Sequence, residues 1–211
     1  MNPGQVKITL KPGKEQSVKR FHPWIFSGAI ARFAGKPAEG EWVSVYSSAD
    51  EFLAAGHYQI GSIAVRVLTF TDVEPDDNFW KNKIESAWKL RQSLGFNDNN
   101  ETNVFRLIHG EGDGLPGLIV DFYNGTAVMQ SHSVGMFLIR DLLAKVLKEV
   151  LGDRLKAVYD KSAKTLPFKA DISPVDEYIL GEQRETKVTE YRLKFKVDWQ
   201  EGQKTGFFID Q

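Results

Sequence analysis

LIVDFYNGTAVMQSHSVGMFLIRDLLAKVLKEVLG, residues 118–152, holds in order a strand, a two-residue turn, a strand and a helix. Leu118 to Tyr123 and Thr126 to Gln130 are apolar and β-branched. Asn124-Gly125 between them tolerates positive φ at both positions, the mark of a tight hairpin. Ser133 is placed to cap a helix, and Ile139, Leu142, Leu143, Val146, Leu147 and Val150 recur at helical spacing before Gly152 ends it. Val104 to Ile108 ahead of this block and Leu155 to Tyr159 after it read as further strands. Tyr191 to Trp199 alternates so strongly that it predicts one more, with Tyr191, Leu193, Phe195, Val197 and Trp199 on one face. Strands, helix, strands in this order predict an α+β domain.

Upstream the pattern changes. Val6 to Leu10, Val43 with Val45, and Ile63 to Leu68 are short strand signals separated by glycines such as Gly13, Gly40 and Gly61, which predicts a small barrel or sandwich. Thr71 to Asp77 is an acidic stretch with one proline. Asp76 or Asp77 can cap a helix from Asn78 to Leu94, stopped by Gly95, and Phe96 to Glu101 reads as a polar loop.

The 211 residues are 42% hydrophobic, with 27 Lys and Arg against 28 Asp and Glu, and contain no cysteine. A folded chain is implied, and disulfides, thiolate metal sites and a cysteine nucleophile are excluded within it. No apolar run is long enough for a transmembrane helix and no signal-peptide core is evident, so the expectation is no membrane and a cytoplasmic protein. The charge is unevenly spread: residues 1–36 carry a net +6 and residues 37–120 a net −7. The basic segment suggests a polyanion contact, the alternative being a solvated surface. Within it, cations interleave with Phe21, Trp24 and Phe26, residue types that hold phosphates and stack bases. Phe26 is expected in the core, and the contacts are expected at Lys11, Lys14, Lys19, Arg20 and His22.

Gly112-Asp113-Gly114-Leu115-Pro116-Gly117 matches a dinucleotide-binding pattern, but a strand sequence follows where a helix is needed. A structural turn is the expectation, with a small-molecule enzyme using that turn as the rival. His22, His57, His109 and His132 form no metal-ligand spacing, and no metal is expected.

Phe21-His-Pro-Trp-Ile-Phe-Ser-Gly28, Arg106-Leu-Ile-His-Gly-Glu-Gly-Asp-Gly-Leu-Pro-Gly-Leu-Ile-Val-Asp121 and Gly202-Gln-Lys-Thr-Gly-Phe-Phe-Ile-Asp-Gln211 stand in this order. Together with Tyr159-Asp-Lys-Ser162 they resemble the SAM-dependent methyltransferases that modify cytosine carbon 5 in large-subunit ribosomal RNA. The resemblance runs over essentially the whole chain. It implies a PUA-like RNA-binding barrel over residues 1–72, a linker and connecting helix over 73–101, and a middle domain over 102–200. That domain would have a strand–strand–helix–strand–strand core. Residues 201–211 would lead into a Rossmann-like methyltransferase domain, expected to be absent here.

The resemblance implies large-subunit ribosomal RNA as partner and allows a homodimer. It also implies S-adenosyl-L-methionine (SAM) as the cofactor of the full-length family, approached by Thr205, Gly206 and Phe208. That family uses a cysteine nucleophile, and this chain has none. The chain alone is therefore expected to bind no cofactor appreciably and to have no catalytic residue. The expected function is to bind RNA and position the substrate, the alternative being a stand-alone RNA-binding protein without activity.

Overall fold

The computed structural model describes residues 6–96, 101–167, 172–183, 187–202, 205, 206 and 209. The first unit is a six-stranded sheet built from β1 (Val6–Leu10), β2 (Trp24–Phe26), β3 (Ile30–Ala34), β4 (Trp42–Tyr46), β5 (Phe52–Tyr58) and β6 (Ile63–Thr69). Its order is β2-β6-β5-β4-β1-β3, with β1 parallel to β4 and the other pairs antiparallel. The sheet curls as a half-barrel around Ile8, Leu10, Ile25, Val43, Val45 and Val65, each at most 2% exposed. The short α1 (Gln16–Lys19) adds Val18 to this core.

A second, five-stranded sheet has the order β11-β10-β9-β8-β7, from β7 (Val104–His109), β8 (Leu118–Tyr123), β9 (Thr126–Ser131), β10 (Ala157–Asp160) and β11 (Glu177–Leu180). The β8–β9 turn places Asn124 at φ 45° and Gly125 at φ 100°, as the Asn-Gly pair requires. β9 and β10 run parallel, so the chain between them must cross over. It does so through α3 (Val134–Leu138) and α4 (Arg140–Leu151). With α2 (Asp77–Ser93), capped by the Asp76 carboxylate accepting from Phe79 N, α4 covers one face of this sheet. Trp80, Ile84, Trp88, Leu143 and Leu147 pack there on Leu107, Val120, Phe122 and Met129. α2, read as a connecting helix, is therefore half of the helical layer. A hairpin of β12 (Lys187–Glu190) and β13 (Leu193–Lys196) helps cover part of the other face. Val188, Val197 and Trp199 bury Val104, Tyr123, Val128 and Tyr159.

The α+β class, with a barrel-like sheet followed by a mixed α/β unit, is as expected. Three local readings are corrected. Phe26 is 49% exposed, because in the three-residue edge strand β2 period two sends Ile25 inward and its neighbours outward. The single alternating strand Tyr191–Trp199 is instead the second half of a hairpin. Tyr191 and Arg192 form its turn at φ 47° and 68°, leaving Tyr191 and Leu193 exposed. The helix capped by Ser133 is interrupted at Ile139 (φ −104°, ψ 12°), so α3 and α4 are separate elements. The polar loop is described only at its ends, and Phe208 lies outside the described residues. Among the described residues no helix is long and apolar enough to cross a membrane.

Candidate nucleic-acid interface

Strand register builds the first half of the site. Trp42 pairs with His57, His57 with Arg66, and Arg66 with Trp24, so one cross-strand row runs over β4, β5, β6 and β2 on the outward face of the half-barrel. At its buried end His57 stacks on Trp80 of α2 with centroids 5.9 Å apart. At its open end the alternate residues His22, Trp24 and Phe26 gather their rings, with centroids 6.0 Å (His22–Trp24), 6.4 Å (Trp24–Phe26) and 6.3 Å (His22–Phe26) apart. The Trp24 backbone N–H donates to His22 Nδ1 at 3.1 Å, which fixes the imidazole within this ladder.

The five-stranded sheet supplies the second half. Beyond the area covered by the hairpin, its outer face carries Arg106, Ile119, Gln130 and Lys161. With His132, Lys164, Thr165, Asp176 and the Gln200–Gly202 turn they line a cavity of about 650 Å³. Gln130 is 8% exposed. Lys161 donates to the carbonyls of Trp199 (2.5 Å) and Gly202 (2.6 Å), fixing the turn that forms one wall. Burial lowers the Lys161 pKa below the ordinary lysine value.

The halves meet at Arg66. Its stem lies on Gly117, where an added Cβ would sit 3.3 Å from Arg66 Cδ and 2.6 Å from Ser133 Oγ. Its guanidinium donates to Gln59 Oε1 at 2.9 Å, and Trp24 Nε1 donates across the junction to Glu111 Oε1 at 2.7 Å. His132 is pushed below its ordinary pKa by burial first, then by the positive charge of Arg66 and Arg106, with Glu111 opposing. Rings at Trp24, Phe26 and His132 and the cations Arg66, Arg106, Lys161 and Lys164 thus make a strip spanning both units, with the carboxylates of Glu111, Asp176 and Glu201 along it.

The turn at Gly112–Gly117 is structural. The Asp113 carboxylate accepts from Arg91 Nη2 at 2.8 Å and from His109 N at 2.6 Å, and Lys83 Nζ donates to Gly114 O at 2.9 Å. The chain then enters β8, so no helix opens on these glycines as a dinucleotide-binding turn requires.

Of the expected RNA contacts, only His22 is drawn into the ladder. Lys11 donates to Gly28 O at 2.9 Å and Lys19 pairs with Glu51 at 3.3 Å, while Lys14 and Arg20 are exposed. Arg66, Arg106, Gln130, His132, Lys161 and Lys164 are not among the RNA contacts expected from sequence. The available signal was a lone arginine inside each of two apolar strands, Ile63–Thr69 and Val104–His109.

The Thr205–Gly206 pair is mounted on the same outer face. Thr205 Oγ1 donates to Asp121 Oδ2 at 2.6 Å and lies 2.9 Å from the Tyr123 hydroxyl. Asp121, fully buried, also accepts from Arg106 Nε (2.8 Å) and Nη2 (3.1 Å). Gly206 sits at φ +129°, where an added Cβ would be 2.8 Å from Trp199 Cα. Buried hydrogen bonds and close backbone packing therefore fix this segment, and the Thr205 hydroxyl is fully used in doing so.

A PUA-like domain family matches residues 8–70. Over 209 residues the chain is 36% identical to ribosomal RNA large subunit methyltransferase I of Alteromonas mediterranea, covering 97% of this chain and 51% of that protein. The same enzyme of Erwinia tasmaniensis is 35% identical, with 98% and 52% covered. The chain spans about half the length of these curated relatives. Among solved structures, one from Streptococcus mutans described as a SAM-dependent methyltransferase matches with a TM-score of 0.73 at 18% identity. It covers 90% of this chain and 48% of the other. A methyltransferase structure complexed with SAH matches equally well, with 90% and 47% covered. The structural matches show a shared fold. The sequence matches show homology to ribosomal RNA large subunit methyltransferase I over nearly the whole chain, including a PUA-like domain.

Proposed function

We propose that this chain is the RNA-binding and substrate-positioning portion of a SAM-dependent methyltransferase that acts on cytosine carbon 5 of large-subunit ribosomal RNA. The observation that carries the reading is the strip from Phe26 and Trp24 through Arg66 and His132 to Lys164. Aromatic rings stack unpaired bases irrespective of sequence, and long cations hold the phosphates between them. Lys11, Lys14, Lys19 and Arg20 are the proposed additional phosphate contacts beside the ladder. A strip that crosses both units selects a folded RNA element by shape, since phosphate contacts fix register and carry no base identity.

In this reading SAM supplies the methyl group. The described residues do not by themselves fit that cofactor. The Thr205 hydroxyl is committed to Asp121 and Tyr123, so Thr205 and Gly206 offer backbone, and Ser131-His132-Ser133 joins β9 to α3 without a glycine. The 211 residues contain no thiolate to add to a pyrimidine ring. The part assigned to them is delivery: hold the RNA, exclude solvent from the outer sheet face, and seat Thr205–Gly206 beside it.

The test is a titration with a large-subunit ribosomal RNA fragment at low and high salt. Each phosphate contact removed should flatten the log–log salt slope by about 0.7–0.9. Arg66→Gln and Lys164→Gln are expected to do so singly, and Lys14→Gln with Arg20→Gln together. Phe26→Ala should weaken binding without changing the slope. Slopes unchanged in every charge variant would refute the interface. Methyl transfer from SAM by this chain would refute the delivery role.

A further inference from the structure

The end of the five-stranded sheet away from the Arg106 cavity holds a second pocket, of about 370 Å³. Its wall is a run of nearly parallel rings. Phe96 stacks on Phe105 (5.2 Å, 24°), Phe105 on Phe122 (5.1 Å, 26°), and Trp88 on Phe105 (6.0 Å, 18°). Aromatic pairs elsewhere in this protein are mostly edge-on, so a flat arene would find its preferred offset-stacked partner here. Phe96 is only half-buried.

The lip is polar and built from two adjacent strand ends. Asn103 and Asn124 both line the pocket and are joined by a backbone bond from Asn124 N to Asn103 O at 2.8 Å. Asn103 Oδ1 accepts from Thr189 N and Asn124 Nδ2 donates to Lys187 O. These bonds leave the Asn103 amide N–H groups and the Asn124 side-chain carbonyl without a partner among the described residues. One side-chain donor and one side-chain acceptor therefore line the same lip, the groups that complement a nucleobase edge. Exposed Lys156 and Arg154, whose guanidinium lies 5.8 Å from the Trp88 indole centroid, stand at the same lip beside Asp153. The volume lies within the range of small-molecule sites.

We propose that this pocket takes one unstacked nucleotide, its base continuing the ring stack, its edge on Asn103 and Asn124, and its phosphate on Lys156. The nucleotide is either free in solution or a residue of a bound single strand. The inference stands apart from the RNA strip, which lies at the other end of the sheet.

The experiment titrates the ¹⁵N-labelled chain with each of CMP, UMP, AMP and GMP, with the matching nucleosides, and with a short single-stranded RNA. The amide signals of Asn103, Asn124 and Gly125 and the Trp88 indole N–H report binding. The expected result is saturable movement of these signals, weakened on the order of tenfold by Lys156→Gln or by removing the phosphate. Saturation by mononucleotides assigns a free ligand, and saturation by the oligonucleotide alone assigns a strand residue. In the mononucleotide titrations Arg66→Gln and Lys164→Gln should leave these shifts intact, so the pocket and the strip fail separately. No movement at millimolar nucleotide and with the oligonucleotide overturns the proposal. So does movement indifferent to both Lys156 and the phosphate.

Discussion

His57 is 5% exposed, stacked on Trp80 and edge-on to Trp42, and burial reinforced by Arg66 pushes its pKa from 6.5 down to about 4. Between those values the unfolded chain takes up a proton that the folded chain refuses. The stability from neutral His57 is therefore complete above pH 6.5 and is lost as the pH falls toward 4. Asp160 has the opposite sign. Fully buried, it is raised by desolvation from 3.8 to about 6, against the Ser162 hydroxyl and Arg140. Here the folded chain keeps a proton that the unfolded chain releases, so stability falls as the pH rises from about 4 to 6. Each window amounts to roughly 3 kcal/mol by linkage, and the two nearly cancel where they overlap. Asp160→Asn removes one of them. The unfolding free energy of that variant, from denaturant titrations, should fall between pH 6.5 and 4.5 by about 2 kcal/mol more than that of the parent chain. Parallel pH profiles would show that one of these groups is not held as described.

At the scale of elements, the β12–β13 turn stands out because Tyr191 and Arg192 both occupy left-handed backbone (φ 47° and 68°), a conformation unfavourable for side chains of this kind. Arg192 recovers little from Glu101, since that ion pair is exposed on both sides (78% and 51%). Tyr191→Asn with Arg192→Gly would install the dipeptide used at the β8–β9 turn. It should raise stability by about 1 kcal/mol, visible as a melting temperature higher by about 2–4 °C. No rise would mean that the surrounding contacts, such as Tyr191 N to Thr102 Oγ1 at 3.0 Å, hold the turn at little cost.

The same pair of turns shows what the sequence made legible. Asn124-Gly125 announces its geometry through residue type, whereas Tyr191-Arg192 hides inside an unbroken alternation and bends because the fold demands it. The capped helices and paired apolar strands were readable from periodicity, and so was the Gly112–Gly117 turn. Phe26 was not, because the inward face of an edge strand depends on its partner's register. The strip was missed for a related reason: Trp24, Arg66 and Arg106 are far apart in the chain, and only strand pairing with close glycine contacts brings them together.

Across the whole molecule, the alignment of the two units rests on glycines. An added Cβ at Gly135 of α3 would lie 2.2 Å from His57 Cγ, and one at Gly40 (φ +84°) would lie 2.7 Å from Leu138 Cδ1. Gly135→Ala must force α3 away from the half-barrel, a clash costing about 1–3 kcal/mol. Far-ultraviolet circular dichroism is expected to persist while ribosomal RNA affinity falls at least tenfold, because the strip draws on both units. Gly28→Ala, which meets nothing within 4 Å, should be silent in both measurements. Equal RNA affinity in the two variants would uncouple this junction from recognition. The β12–β13 hairpin shares one sheet face with the Arg106 cavity, roofing the apolar end and leaving the charged end bare. Under the proposed function, insertions that lengthen that roof would narrow the approach to the cavity while the helical layer beneath stays untouched, so hairpin length would set which RNA elements reach it.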